Sequence, residues 1–289
     1  MFFSTDINVI FPARGVFAGS NKIKTQDYDP DLSKTIKSLP ILAELFTVAD
    51  TLTLSGGESL LYWDEKIVPL TIEIRKHFPT EHITVFSNGL LVNRFKDKVY
   101  DYIRTFAPVR FTITEHLKGL GSHPLKKQWD LKIQDFTSEP FVERIHDKHF
   151  HIGHYNDHVI SFYSVDQWKN SFKVQEDGKI KPYATQDPTG SMMTGCTGNV
   201  CSTVIEDRLY KCSNLASLKD HLHACGQADD PDWKKYLEYP YIDLINIDQS
   251  KMQHFVDTHG KPIDHCDMCP NSIKDNLPWD QRDASWVLP

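Results

Sequence analysis

The first 195 residues contain no cysteine. That stretch alone therefore provides neither a disulfide nor a thiolate-bound metal. Long apolar runs are also missing, and none approaches the ~20 residues a membrane-spanning helix needs. No extended basic run exists, and the formal net charge is -7. Non-specific binding to nucleic acid or to an anionic membrane surface is not favoured by that balance. The N-terminus, MFFSTDINVIF, lacks a basic segment and carries Asp6 within its apolar stretch, so a secretory signal is not expected. There is no P-loop, no dinucleotide fingerprint, no nucleophile elbow and no internal repeat. The expectation is a cytoplasmic protein.

What is present suits a globular chain. Its 289 residues are 40% hydrophobic and 25% charged, enough for one α/β domain with an appended module. The first half alternates strand and helix patterns. STDINVIF reads as a buried strand, and a loop follows through Pro12, Gly15 and Gly19. DLSKTIKSLPILAELF has helical spacing, with Pro40 marking a kink or break. DTLTLSGG is a strand ending in two glycines. WDEKIVPLTIEIRKHF reads as a helix starting near Asp64. HITVFSNG is the next strand, and LVNRFKDKVYDYIRTF a helix with Leu91, Phe95, Val99 and Ile103 on one stripe. PVRFTITEH is a further strand. Such a β-α-β series implies a parallel sheet with right-handed crossovers, whose functional loops follow the strand C-termini.

The later chain is less regular. HFHIGHY and VISFYS read as strands and VDQWKNSFK as a short helix. VQEDGKIKPYATQDPTGSMMTG reads as loop. STVIEDRLYKC is a hairpin turning at Glu206-Asp207, and SLKDHLHAC and SKMQHFVDTHG are short helices.

LSGGES at residues 54–59 ends the second strand. It is either a tight turn or a ligand-binding loop, because two glycines allow close backbone approach and Glu58 could hold an ammonium. FSNGLL at residues 86–91 ends the third strand. These two motifs, in this order, resemble the radical S-adenosylmethionine (SAM) superfamily over about residues 5–120. The resemblance implies a partial (β/α) barrel. By matching motif, Gly56, Gly57 and Glu58 would contact the methionine part of SAM, with Ser87 and Asn88 nearby.

The family carries C-x3-C-x2-C in the loop after the first strand, where three thiolates hold a [4Fe–4S] cluster that binds SAM. Here that loop is FPARGVFAGSN, and the spacing places Ala13, Phe17 and Ser20 at the three positions. Ala13 has no donor, Phe17 is bulky and apolar, and Ser20 offers only a weak hydroxyl. Either reductive SAM cleavage is lost, or the loop is an unrelated connection and the register does not apply.

All six cysteines follow: Cys196, Cys201, Cys212, Cys225, Cys266 and Cys269. A C-x2-C turn presents two thiolates to one metal, and a hairpin can add two more. The arrangement resembles the SPASM/Twitch extensions of radical SAM enzymes, with Cys196, Cys212, Cys266 and Cys269 as ligands of one centre. Asp207 stands where the family has glycine. Four thiolates suit [4Fe–4S] or Zn²⁺, and the family context favours iron–sulfur. Free buried thiols are the remaining reading. Cys201 competes with Cys196 for the first position, and Cys225 reads as a core thiol. His149 and His151 share a strand face, with His154 and His158 close by. They suit a polar face or pocket lining more than a second metal site. His221, His223 and His265 could each replace a thiolate in a zinc site.

The sequence thus points to an α/β protein. The resemblance implies a partial (β/α) barrel of radical SAM type over residues 1–165, and a linker and cysteine-rich iron–sulfur (or zinc) module over residues 166–289. The expected role is a binding or accessory subunit, with a protein or peptide as partner, SAM as an optional ligand, and no membrane or nucleic acid. The alternatives are a SAM-dependent enzyme of altered mechanism acting on a peptide, protein or carbohydrate, and a zinc-stabilised interaction domain.

Overall fold

The computed structural model describes residues 3–10, 31–56, 58–87, 89, 91–115, 142–146, 149–153, 158–164, 167–168, 172–175, 177, 179–193, 196, 201–272 and 277–278. Strands β1 (Phe3–Ile10), β2 (Phe46–Ser55), β3 (His82–Ser87) and β4 (Val109–Glu115) alternate with helices α1 (Leu32–Leu45), α2 (Val68–His77) and α3 (Val92–Phe106). Then come β5 (Val142–His146), β6 (His149–Gly153), β7 (His158–Ser164), β8 (Gln167–Trp168), β9 (Lys173–Val174) and β10 (Ile180–Lys181). Helix α4 (Pro188–Met193) precedes β11 (Cys201–Ile205), β12 (Arg208–Tyr210) and α5 (Ser213–Ala224). The chain closes with α6 (Lys234–Leu237), β13 (Ile242–Asp243), α7 (Gln249–Thr258) and β14 (Leu277–Pro278).

One sheet dominates, in the order β13-β12-β11-β1-β2-β3-β4-β7-β6-β5. From β11 through β1, β2, β3 and β4 to β7, every neighbouring pair is parallel. Both margins are antiparallel. The sheet is mixed α/β and does not close into a barrel among the described residues. Steps from β1 to β4 all go to the next neighbour in one direction. Right-handed crossovers then place α1, α2 and α3 on a single face, and α1 does pack beside α2 and α2 beside α3.

The register explains which face the helices cover. Leu52, Ile83 and Val109 form one row across β2, β3 and β4, and Leu54, Val85, Phe111 and Ile160 form another that reaches β7. These side chains pack with Leu39, Leu42, Leu70, Ile74, Val99 and Ile103 of the helices in one buried core. Each such burial contributes about 1.5–3 kcal/mol relative to exposure. The row between them is polar: Thr53, Thr84 and Arg110. Thr84 is buried and shares a 2.7 Å hydrogen bond with Thr51. Strand alternation therefore gives the sheet one oily face for the helices and one polar face.

The segments with a strong period form as expected. Leu45 ends α1 in spite of Pro40, which stays inside a continuous helix. The proline removes one helix donor, but Leu39 and Leu42 on either side of it are fully buried and anchor the helix. Asp31 caps α1 by accepting from the Ser33 N–H at 2.9 Å. The entry to α2 is irregular: a 3-10 turn over Ser59–Tyr62 and a π turn over Trp63–Ile67 precede regular helix. Two expectations are corrected. Gln167–Trp168 is a strand paired with β14 where a helix was expected, and part of the expected loop folds as the β9–β10 hairpin and α4. Cross-strand pairing decides such short segments, and local spacing does not reveal it.

The cysteine-bearing part joins the same sheet. β11 pairs in parallel with β1, so the sheet crosses the expected boundary near residue 165. The hairpin turns at Glu206-Asp207, as the sequence indicates. Glu206 occupies the left-handed region at φ 56°, and its carboxylate accepts from Asp31 N–H at 3.1 Å and Lys34 Nζ at 3.2 Å. The start of α1 is thereby tied to this turn. A second core of Phe172, Ile180, Leu218, Trp233 and Met268 packs behind α5. Among the described residues no helix is long and apolar enough to cross a membrane.

Candidate functional site

Two of the expected motifs meet at the C-terminal ends of β2 and β3. Glu58 follows the strand end and is buried. One of its carboxylate oxygens, Oε1, accepts from the Leu60 N–H at 3.0 Å and from Ser87 Oγ–H at 2.8 Å. Ser87 in turn accepts from the Gly89 N–H at 3.0 Å. Gly89 has φ 79°, which a residue with a side chain rarely adopts, so the turn needs this glycine. Glu58 thus caps the 3-10 turn and ties the two loops together, a local role that needs no ligand. Gly56 is exposed at the strand end. Gly57 and Asn88 lie outside the described residues, as do Ala13, Phe17 and Ser20.

The four expected thiol ligands come from three places in the chain. Cys196 follows α4 and donates its N–H to Met192 O at 3.3 Å. Cys212 is the N-cap residue of α5 and accepts the Ala216 N–H at its carbonyl. Cys266 and Cys269 sit on a 3-10 turn over Asp264–Met268, joined by Cys269 N–H donating to Cys266 O at 3.2 Å.

That turn is fixed from two sides. Tyr183 N–H donates to Met268 O, Thr185 N–H to Asp267 O, and Ser191 Oγ–H to Cys269 O at 2.8 Å. On the other side the Asp267 carboxylate, almost fully buried, accepts from Tyr236 Oη at 3.0 Å and Lys235 Nζ at 2.8 Å. Helix α6 and the 183–191 segment therefore set where Cys266 and Cys269 point.

The electrostatics centre on Cys212. Burial pushes its thiol well above the ordinary range, and the neighbouring Cys269, Cys196 and Cys266 thiols push in the same direction. The Leu215 N–H opposes them, without forming a capping hydrogen bond. Two sulfurs have donors of their own: Asn214 Nδ2 reaches Cys269 Sγ at 3.7 Å, and Ile263 N–H reaches Cys266 Sγ at 3.5 Å. Cys196, Cys212, Cys225, Cys266 and Cys269 are all free of disulfides. Among the described residues, no three His, Cys, Asp or Glu side chains converge closely enough to hold a single ion.

Sequence reading missed Lys211. It is 4% exposed, and its ammonium donates to Thr258 O at 2.6 Å and to Lys261 O. A signal was available: Leu209 is fully buried on β12, and alternation puts the residue two further on to the same side. Cys225 lies apart, its thiol pushed up by burial alone. His221 and His265 are pushed down chiefly by burial, which disfavours their charged forms. His149 and His151 sit two apart on β6, opposite Tyr163 and Ser161 of β7.

A scan against protein-family models finds no match to the chain, and a search of characterised proteins finds none either.

Proposed function

We propose that this chain is a degenerate radical SAM protein that keeps one thiolate-bound metal centre and acts as a binding or accessory subunit toward a protein or peptide. What supports this reading is that the Cys269, Cys196 and Cys266 thiols, from two other segments, all act on the half-buried Cys212 thiol. The strand order β1-β2-β3-β4, with helices on one face and the Gly-Gly-Glu and Ser-Asn-Gly loops joined through Ser87 and Glu58, supports the radical SAM relationship. Thiols in that number suit a reducing compartment, in keeping with a cytoplasmic protein.

Cys196, Cys212, Cys266 and Cys269 are the residues that would hold the group. A [4Fe–4S] cluster is favoured over Zn²⁺ by the family resemblance alone, since four thiolates suit either. Such a cluster supplies one-electron transfer or a rigid structural node. The chain's own part is to fix the C-x2-C turn through Asp267 and Ser191.

SAM binding at Gly56, Gly57 and Glu58 is the second element of the reading. Its cleavage is not proposed, since Ala13, Phe17 and Ser20 replace the three thiolates that would deliver the electron.

The test is a gain of function. The Ala13→Cys, Phe17→Cys, Ser20→Cys triple variant, reconstituted anaerobically with iron and sulfide, should bind twice the iron of the unaltered chain. Equal iron in both would remove the radical SAM register of this loop.

A further inference from the structure

Helices cover one face of the main sheet, and the strand register shows what the other face carries. Phe86, Thr112, Ser161, His151 and Arg144 form one cross-strand row from β3 through β4, β7 and β6 to β5. Thr114, Tyr163, His149 and His146 form the next row on the same face. Alternation sets both rows opposite to Val85, Phe111 and Ile160, which pack under the helices. Arg144, His146, His149 and His151 are basic, and none of the residues in the two rows is acidic, in a chain of net charge -7. Arg110, on the same face but nearer the strand starts, is already engaged by Asp50 at 3.2 Å.

Two further observations point to a ligand. Thr112 is 1% exposed, and its Oγ1 has no hydrogen-bond partner among the described residues. A buried hydroxyl left unpaired costs stability, and native proteins keep few of them. Its neighbour in the row, Phe86, is 39% exposed although it lies in the middle of the sheet. Both rows also lie toward the C-terminal ends of the parallel strands, where open α/β sheets bind their ligands.

We propose that this face binds a small phosphate monoester. The phosphate lies at the Arg144, His146, His149 and His151 end, a hydroxyl of the ester body completes Thr112, and its ring lies on Phe86. Arginine and imidazole donors suit a phosphate dianion. At the ordinary spacing of neighbouring strands, Phe86 and His151 stand about 14 Å apart, room for a phosphate, a sugar and a ring in that order. This site stands apart from the thiol centre, and neither reading depends on the other.

The test is calorimetric titration of the full chain with inorganic phosphate, ribose phosphate and uridine monophosphate at constant ionic strength. At least one ester should bind tenfold or more tightly than phosphate. Uridine monophosphate ahead of ribose phosphate identifies a base on Phe86, and equal affinities identify a sugar alone. Arg144→Gln should weaken all three about tenfold, and His151→Gln replaces it if that variant does not fold. Thr112→Val should weaken the esters and leave phosphate unchanged. Without ligand it should melt no lower than the unaltered chain, because its hydroxyl has no protein partner to lose. Arg104→Gln, at an exposed arginine of α3, should bind as the unaltered chain does. The proposal is overturned by no heat with either ester, or by esters no tighter than phosphate. Full ester affinity in Arg144→Gln or Thr112→Val, or an equal loss in Arg104→Gln, overturns it as well.

Discussion

Ser87 donates its hydroxyl to Glu58 Oε1 at 2.8 Å, joining the loop after β3 to the loop after β2. The bond is buried, and Ser87 also accepts from Gly89 N–H. Ser87→Ala should therefore destabilise the fold by about 1–3 kcal/mol, the cost of leaving buried polar groups unpaired. Thermal melts should show a midpoint several degrees lower. An unchanged melt would mean that the bond carries no stability.

Glu58 has a structural task, so a simple truncation cannot report on ligand binding. Glu58→Gln keeps an oxygen acceptor for Leu60 N–H and Ser87 Oγ but removes the charge. Calorimetric titration with SAM should give heat with the unaltered chain, and at least tenfold weaker binding with Glu58→Gln. No heat with either protein removes SAM from the account.

Arg75 donates to four main-chain carbonyls, those of Phe78, Glu81, Phe106 and Pro108. Its planar fork reaches all four, and a lysine cannot. Arg75→Lys should cost about 2–4 kcal/mol, since several half-buried carbonyls lose a charged donor together. Equilibrium urea unfolding gives the number, and a loss below 0.5 kcal/mol on the order-of-magnitude scale of a surface change would refute this role.

His221 lies at the edge of Phe172, and burial lowers its pKa from the usual 6.5 to about 4. It is neutral when folded, and the unfolded chain binds its proton first. Its contribution is thus fully present above pH ~6.5 and is lost as the pH falls toward ~4, to a total of about 3 kcal/mol. His221→Leu should flatten stability against pH across that window. An equally steep acid limb in the variant would assign the loss to other groups.

The parallel core was legible because Leu52, Leu54, Ile83, Val85, Val109 and Phe111 alternate with polar residues, and because Leu39, Leu42, Val99 and Ile103 keep a helical spacing. The Glu206-Asp207 turn was legible for the same reason of local pattern. What the sequence hid depends on pairing between distant segments. The parallel match of β11 with β1 joins residues nearly two hundred apart, and no period announces it. The Gln167–Trp168 strand exists because Leu277–Pro278 lies beside it. At the candidate centre, the four thiols were named from the resemblance to SPASM/Twitch modules. Lys211 and Asp267 escaped notice because a charged residue reads as solvated until its neighbours are known.

Cysteine identity is separable from general destabilisation. Cys212→Ser should abolish most of the bound metal, whereas Cys225→Ser, outside the group, should retain it. Loss of metal in both variants, or in neither, would contradict the ligand assignment.

The most direct measurement is the iron, acid-labile sulfide and zinc content of the full chain purified without oxygen. A [4Fe–4S] centre predicts brown protein with about four irons and four sulfides per chain. Colourless protein with one zinc would replace the cluster by a mononuclear site. Protein with no stoichiometric iron or zinc would contradict the claim that Cys196, Cys212, Cys266 and Cys269 form a metal centre.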